Sequence, residues 1–159
     1  MSVESGQTPE MSAMPDSQRI LREYQHIAVV GFSIKPDRPS YEVAVYLQSV
    51  GYDLTLVNPR YAGQTALGKR IYASLTEARE AGATIEIVDV FRRPQDLEPV
   101  LQEAIQIGAR VLWLQLGICN DEIGRQAVAA GMEFVQDHCT KIEHARFADD
   151  SPKGITFHS

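Results

Sequence analysis

The feature that most constrains the fold of this chain is an alternation of short apolar runs with segments of helical spacing. The runs that predict strands are residues 27–30, 54–57, 85–90, 111–116 and 133–135. Continuous apolar runs of this length are typical of strands that are buried on both faces of a sheet. Strands of this kind, joined by helices, predict βαβ units and a parallel sheet.

The segments between the runs have the apolar spacing of helices. They are residues 40–50, 95–107 and 121–130, which are followed by Gly51, Gly108 and Gly131. A glycine just after the last apolar position is a common end of a helix. A further short helix, running to about residue 24, is predicted to begin at Asp16 or Ser17, because either side chain can cap it.

These elements predict an α/β fold with a Rossmann-like, doubly wound parallel sheet of about five strands in the order 3-2-1-4-5. Residues 61–75 are the least clear, and an extra short strand or loop is expected around 66–72. The predicted organisation is a disordered tail over residues 1–15, one domain over 16–147 and a C-terminal tail over 148–159.

The composition of the chain narrows the classes of binding partner that we expect. The chain has 159 residues, which is enough for one domain, and a net charge of -6. An acidic chain offers no broad basic face for nucleic acid or an anionic membrane, although a single pocket can still be basic. No apolar run reaches transmembrane length, the polar N-terminus does not resemble a secretory signal, and there are two cysteines. We therefore expect a cytoplasmic protein.

In a doubly wound sheet, ligands bind at the carboxyl ends of the strands. The loop after the first strand contains the candidate phosphate-binding residues Gly31, Ser33, Lys35, Arg38 and Ser40. The glycine permits a tight turn, the following helix offers free N–H groups, and the side chains add hydroxyls and positive charge. The loop has only the first glycine of the G-x-G-x-x-G pattern, so a plain loop with solvated charges is the alternative.

The second strand is followed by Asn58, Pro59 and Arg60. A domain that binds NAD usually has an acidic residue here to bond the ribose 2′-hydroxyl, and none is present. Arg60 is better suited to a phosphorylated ribose, as in NADP or coenzyme A. The alternative is a turn with an arginine on the surface.

The loops after the third and fourth strands carry further candidates. Phe91 offers an apolar face to an adenine, and Arg92 and Arg93 are candidate phosphate ligands. Alternatively, Phe91 belongs to the core and the arginines are solvated. Gly117, after the fourth strand, permits close approach of a ligand to the backbone, but it also suits a simple turn.

Residues near the C-terminus combine cysteine and histidine. A zinc site, a Cys139–His144 nucleophile pair and a disulfide between Cys119 and Cys139 are all conceivable, but the spacing is not that of known metal-ligand pairs. A buried thiol beside a helix cap explains this segment better. We expect neither a metal nor a catalytic group here.

Together, several motifs resemble a known family, the small stand-alone CoA-binding domain proteins. These proteins are related to the N-terminal domain of the succinyl-CoA synthetase α subunit. The matching motifs are G-x-S-x-x-P-x-R-P-S at 31–40, Asn58-Pro59, V-D-V-F-R at 88–92, W-L-Q-L-G-I at 113–118 and C-x-K-I-E-H at 139–144. They cover most of the chain, and His138 stands where the family pattern has arginine.

The resemblance implies a Rossmann-like fold that binds CoA. It implies CoA contacts from Gly31, Ser33, Arg38, Ser40, Asn58, Pro59, Val90, Phe91, Arg92, Gln115 and Gly117. It does not imply catalysis, because the synthetases use a further domain with a phosphorylatable histidine, for which a chain of this length has no room.

We therefore expect non-enzymatic binding of coenzyme A or acyl-CoA, with no nucleic-acid or membrane partner. Two alternatives remain open. An NADP-dependent oxidoreductase would need a substrate domain or a proton donor that the sequence does not show. The CoA-binding half of a split acyl-CoA ligase would need a partner chain.

Overall fold

The computed structural model describes residues 16–149. The strands are β1 (His26–Val30), β2 (Asp53–Val57), β3 (Thr65–Ala66), β4 (Lys69–Tyr72), β5 (Ile87–Val90), β6 (Val111–Leu114) and β7 (Glu133–Val135). The helices are α1 (Asp16–Glu23), α2 (Pro39–Ser49), α3 (Leu75–Glu80), α4 (Leu97–Gln106), α5 (Asp121–Ala129) and α6 (Thr140–Asp149). Single 3-10 turns cover Pro59–Tyr61 and Pro94–Asp96.

The strands form one sheet of seven in the order β3-β4-β2-β1-β5-β6-β7. All neighbours are parallel except β3 and β4. The predicted α/β fold and doubly wound parallel sheet are confirmed, with seven strands instead of about five. The strand beside β2 is β4, which lies in the segment where a strand or loop was expected. Only Ile71 of its four residues is buried, so its apolar signal is weak.

The extra strand moves the predicted third strand to the other side of β1. The chain winds outward from β1 through β2 and β4, and then crosses over to β5, which pairs with β1. The winding direction therefore reverses between β1 and β5. In sheets of this kind, the crevice at the carboxyl ends of these two strands is the usual ligand site.

Helices cover both faces of the sheet, and each strand contributes alternate residues to the two faces. On one side, which we call the α2 face, Ile27 and Val29 of β1 pack with residues of α1 and α2. On the other, the α4 face, Ala28 and Val30 pack with residues of α3, α4 and α5. Helix α6 contacts α1 and α2, so it also belongs to the α2 face.

The predicted helices are present within about two residues of the expected ends, and α3 and α6 are additional. Helix α6 ends at Asp149, two residues beyond the expected end of the domain at 147. The predicted tail over 1–15, and residues 150–159 of the other, lie outside the described residues. Within residues 16–149, no helix has the length and apolar character needed to cross a membrane.

Candidate functional site

A cavity of about 580 Å³ opens at the carboxyl edge of the sheet, at the point where the winding reverses. Eight of the residues proposed from the sequence line it: Gly31, Ser33, Arg38, Ser40, Phe91, Arg92, Arg93 and Gln115. The other lining residues are Pro39, Val43, Pro94, Leu116, Ile118 and Cys139. The cavity therefore brings together the loops that follow β1, β5 and β6, the start of α2 and the residue that precedes α6.

The cavity is cationic although the chain is acidic. Arg38, Arg92 and Arg93 line it, and no aspartate or glutamate is among the described residues that do so. Arg93 is paired with Asp96, with Nε 3.1 Å from Oδ2. The Nε atom of Arg92 is buried and has no hydrogen-bond partner within residues 16–149. A buried, unpaired donor is costly unless a ligand satisfies it, so this guanidinium is suited to an anion.

The N-terminus of α2 opens into the same cavity. Its cap residue, Arg38, makes no side-chain capping hydrogen bond, and Pro39 occupies the first turn. The serines of the preceding loop bond within the loop, with Ser40 Oγ accepting from Ser33 N at 2.9 Å and Ser33 Oγ accepting from Lys35 N at 3.1 Å. The helix terminus thus remains available to a negative group.

The packing of two loops against each other requires a glycine at position 31. It has φ +88°, and a Cβ atom placed on it would lie 2.4 Å from the carbonyl oxygen of Phe91. Phe91 N also donates to Val30 O, the last carbonyl of β1, at 2.8 Å, whereas Gly31 N donates to Val57 O at the end of β2 at 2.9 Å. The absence of a side chain at Gly31 therefore allows the loops after β1 and β5 to lie against each other.

The candidates after β2 lie outside the cavity lining. Asn58 Nδ2 donates to Phe32 O at 2.8 Å, and Asn58 Oδ1 accepts from Arg60 N at 2.9 Å. These bonds tie the loop after β2 to the loop after β1. The guanidinium of Arg60 lies over the ring of Tyr61, 5.9 Å from its centre. In this structure Asn58 supports the site, and direct ligand contacts from this loop stay predictions.

The remaining candidates also lie outside the lining. Lys35 and Pro59 are exposed. The side chain of Val90 is fully buried in the core on the α4 face. Gly117 is exposed, has φ +87° and donates from its N–H to Asp137 Oδ1 at 2.7 Å. Ligand contacts from these four residues stay predictions.

Below the cavity lies a buried polar cluster that the sequence analysis did not identify. Gln115 Nε2 donates to Asp89 Oδ1 at 2.6 Å, and Thr140 Oγ1 donates to Asp89 Oδ2 at 2.9 Å. Burial raises the pKa of Asp89 to about 7, against the lowering effect of these two hydrogen bonds. The available signal was an aspartate among the apolar residues of β5.

The two thiols are both free. Cys139 lines the cavity, whereas Cys119 is exposed. The ring of His144 bonds through Nδ1 to the hydroxyl of Tyr46 at 2.7 Å. No group of three or more histidine, cysteine, aspartate or glutamate side chains within residues 16–149 is placed to hold a metal ion.

Known proteins resemble both the sequence and the fold. The Bacillus subtilis (strain 168) protein YneT is 38% identical over 128 residues, which are 80% of this chain and 91% of that protein. A hypothetical protein from Pyrococcus horikoshii OT3 is 35% identical, with a TM-score of 0.77 over 93% of this chain and 97% of that one.

A more distant likeness is to a dinucleotide-forming acetyl-coenzyme A synthetase of Ca. Korarchaeum cryptofilum. It is 17% identical and has a TM-score of 0.64, and the match covers 77% of this chain and 27% of the synthetase, so it shows a shared fold alone. The sequence profile of the CoA binding domain matches residues 25–145, which include every strand and the cavity. The chain therefore belongs to the CoA-binding domain family.

Proposed function

We propose that this protein binds coenzyme A or acyl-CoA in the cavity between β1 and β5 and does so without catalysing a reaction. The observation that carries the proposal is the combination of three arginines and an uncapped helix N-terminus in a cavity whose described lining has no carboxylate. Membership of the CoA-binding domain family supports the choice of ligand.

The chemistry of CoA matches the two kinds of surface in the cavity. Its pyrophosphate and 3′-phosphate need cationic and N–H donors, for which guanidinium groups are well suited because they can bond two oxygens at once. Its pantetheine arm suits apolar walls, which Val43, Leu116 and Ile118 supply. The cavity volume of about 580 Å³ lies within the range of sites for such ligands, on the order of 300–1,000 Å³.

The proposal that no reaction occurs rests on the placement of the reactive groups. Catalysis by a thiol would require a base beside Cys139. The adjacent histidine, His138, is exposed, and its Nδ1 bonds to the carbonyl oxygen of Gln136 at 2.7 Å, while His144 bonds to Tyr46 on α2. Acetyl-CoA incubated with the purified protein should therefore release no free thiol above the rate in buffer. Release that survives repurification and disappears in Cys139→Ala would contradict this part of the proposal.

Ligand binding is tested by native mass spectrometry of the purified protein and by thermal unfolding with added ligand. CoA at 100 times its dissociation constant should stabilise the fold by about 2.7 kcal/mol. For a domain of this size, that corresponds to a rise in melting temperature on the order of 5–10 °C. NADP is the control, since it shares the phosphorylated adenosine but lacks pantetheine. No shift with millimolar CoA, or a larger shift with NADP, would overturn the ligand assignment.

A further inference from the structure

The polar cluster below the cavity forms a closed set of hydrogen bonds among three buried side chains. Gln115 Nε2 donates to Asp89 Oδ1 at 2.6 Å and to Thr140 Oγ1 at 2.9 Å. Thr140 Oγ1 in turn donates to Asp89 Oδ2 at 2.9 Å. Asp89 and Thr140 are fully buried, and Gln115 is 4% exposed where it borders the cavity.

Counting donors fixes the direction of each bond while Asp89 is ionised. A carboxylate only accepts, so both of its partners must donate. The single hydrogen of Thr140 goes to Asp89, and Thr140 therefore accepts from Gln115. Both hydrogens of the Gln115 amide nitrogen are then used on the side away from the cavity. Oε1, on the other branch of the planar amide, takes no part in these bonds, and Gln115 is one of the residues that line the cavity.

The backbone of Gln115 is held as firmly as its side chain. Its N–H donates to Val90 O at 3.2 Å, and its carbonyl accepts from Ile118 N at 2.9 Å. The residue therefore has little freedom to move the amide out of the cluster. Changing what it presents to the cavity requires turning the amide over.

We propose that ionised Asp89, together with Thr140, positions Gln115 so that its side-chain carbonyl faces the cavity as a hydrogen-bond acceptor, and that the site thereby selects ligands presenting an N–H donor at this depth. This inference rests on the proposed function, because it concerns the same cavity. In CoA, two sources offer such a donor, the amides of the pantetheine arm and the exocyclic amine of the adenine. Asp89 and Thr140 act through Gln115 and are positioning residues.

The arrangement reverses when Asp89 takes up a proton. The carboxyl group then becomes a donor, and the amide can satisfy it by turning its oxygen inward and its NH₂ group toward the cavity. An N–H donor of the ligand then faces the NH₂ group of Gln115, which is also a donor, and the hydrogen bond between them is lost. Burial raises the pKa of Asp89 to about 7, which brings this change into the physiological range.

The neighbours of Asp89 in the sheet carry no charge. They are Val29 on β1 and Trp113 on β6. The elements and loops around the cluster carry the following titratable or charged side chains: His26 on β1, Arg38, Tyr41, Glu42 and Tyr46 at α2, Arg92 after β5, and Cys139, Lys141, Glu143, His144 and Arg146 at α6. The ionised state of Asp89 is favoured by its bonds to Gln115 and Thr140 and opposed by its burial.

Titration calorimetry with CoA at pH 6 and pH 8 tests the proposal, with Asp89→Asn as the uncharged variant of equal size. Loss of one hydrogen bond should make wild-type binding roughly three- to ten-fold weaker at pH 6 than at pH 8, beyond any change that the ligand's own phosphates cause. The ligand's phosphates change the affinity of Asp89→Asn with pH in the same way, so this variant should show only that pH dependence. At pH 6, its affinity for CoA should equal that of the wild type. An equal dependence on pH in the two proteins would overturn the proposal.

Adenosine 3′,5′-bisphosphate separates the two donor sources, because it keeps the adenine and phosphates but has no pantetheine arm. A difference between wild type and Asp89→Asn with CoA alone identifies the pantetheine amides, and the same difference with both ligands identifies the adenine amine. Thr140→Ser should keep wild-type affinity for CoA, whereas Thr140→Val should lose about as much as Asp89→Asn.

A measurement without ligand keeps the test independent of CoA binding. In NMR spectra of the wild type, the carboxyl carbon of Asp89 and the side-chain NH₂ of Gln115 should titrate with one shared midpoint. An NH₂ signal of Gln115 that does not change while Asp89 titrates would overturn the inference. Failure of both proteins to bind CoA at either pH would overturn the proposed function instead, and the NMR titration would still decide the positioning of Gln115.

Discussion

The two faces of the sheet are built from similar numbers of helices but differ in what they bury. The α4 face is filled by aliphatic residues of α3, α4 and α5. Most buried polar side chains belong to elements that pack on the α2 face or border the cavity: Ser17, Ser40, Asp89, Gln115, Thr140, Glu143 and His144. Among the described strands, side chains point alternately to the two faces, and this places one buried polar residue, Thr55, on the α4 face.

This difference indicates that the α4 face mainly stabilises the fold, whereas the α2 face mainly arranges the residues that recognise a ligand. Buried apolar surface on the α4 face contributes to the free energy of folding without specifying a ligand. Buried polar groups on the α2 face are costly unless every donor and acceptor is paired, so they favour one arrangement of the surrounding elements. Two of the helices that carry them, α2 and α6, have their N-terminal ends at the cavity. The contrast can be tested by changing the two faces separately.

The largest effect is expected from truncating a leucine in the α4 face. Leu101 on α4 is fully buried, and Leu101→Ala should lower the free energy of unfolding by about 2–5 kcal/mol. CoA affinity of the folded protein should not change, because Leu101 lies outside the cavity. The matched control is Leu116→Ala, since Leu116 lines the cavity and is 62% exposed.

Leu116→Ala should weaken CoA binding and leave stability nearly unchanged. Urea unfolding and titration calorimetry on both variants check the pair. A loss of affinity in Leu101→Ala equal to that in Leu116→Ala would show that the two faces are not separable.

The next effect is on the charged side of the cavity. Arg92→Ala should weaken CoA binding roughly ten- to a hundred-fold, because it removes a charge-assisted hydrogen bond to a phosphate. Unfolding free energy should change little, since Arg92 Nε has no partner to lose within the described residues. Arg125→Ala is the control, because Arg125 lies on α5 and pairs with Glu122 at 2.8 Å. Equal CoA affinities of the two variants would contradict the role of Arg92.

A smaller effect, on the free energy of unfolding, is expected where the loops after β1 and β5 meet. Gly31 and Gly117 have nearly the same backbone angle, φ +88° and +87°, so alanine at either position carries the same conformational strain. Only at Gly31 would the new Cβ meet another atom, the carbonyl oxygen of Phe91 at 2.4 Å. Gly31→Ala should therefore be less stable than Gly117→Ala by about 1–3 kcal/mol, the usual cost of overpacking. Chemical unfolding of both variants measures the difference.

The smallest effect is a pH dependence confined to the α2 face. Partial burial lowers the pKa of His144, so the native protein binds a proton there less readily than the unfolded chain. Its contribution to stability is present above the ordinary pKa and is lost as pH falls through the lowered one. His144→Phe keeps a ring against Tyr52 and Phe147 and cannot titrate. Relative to this variant, the wild type should become less stable between pH 7.5 and pH 5, as measured by urea unfolding at several pH values.

Much of the fold followed from local patterns. The strands that became β1, β2, β5 and β6 were marked by largely apolar runs because both of their faces are buried. The short run that became β7 lies at the edge of the sheet, and Val135 is its one buried residue. By contrast, β4 has one fully buried residue and α3 has six residues, so neither has enough periodicity to stand out. The place of β5 beside β1 depends on β4 filling the position next to β2, and this is a property of the whole sheet.

The sequence by itself determined the class of fold, the edge of the sheet at which a ligand site lies, and eight of the residues that line the cavity. The fold class, the edge and most of these residues depend on strand periodicity and on the rule that loops at the carboxyl ends of parallel strands come together. Gln115 was proposed because its motif resembles that of the CoA-binding domain proteins. Only the tertiary structure decided that Gly31 serves the approach of Phe91, that Asn58 braces a loop, and that Asp89 holds Gln115. Asp89 and Thr140 are 51 positions apart, and a hydrogen bond between such distant positions depends on how the sheet and α6 pack.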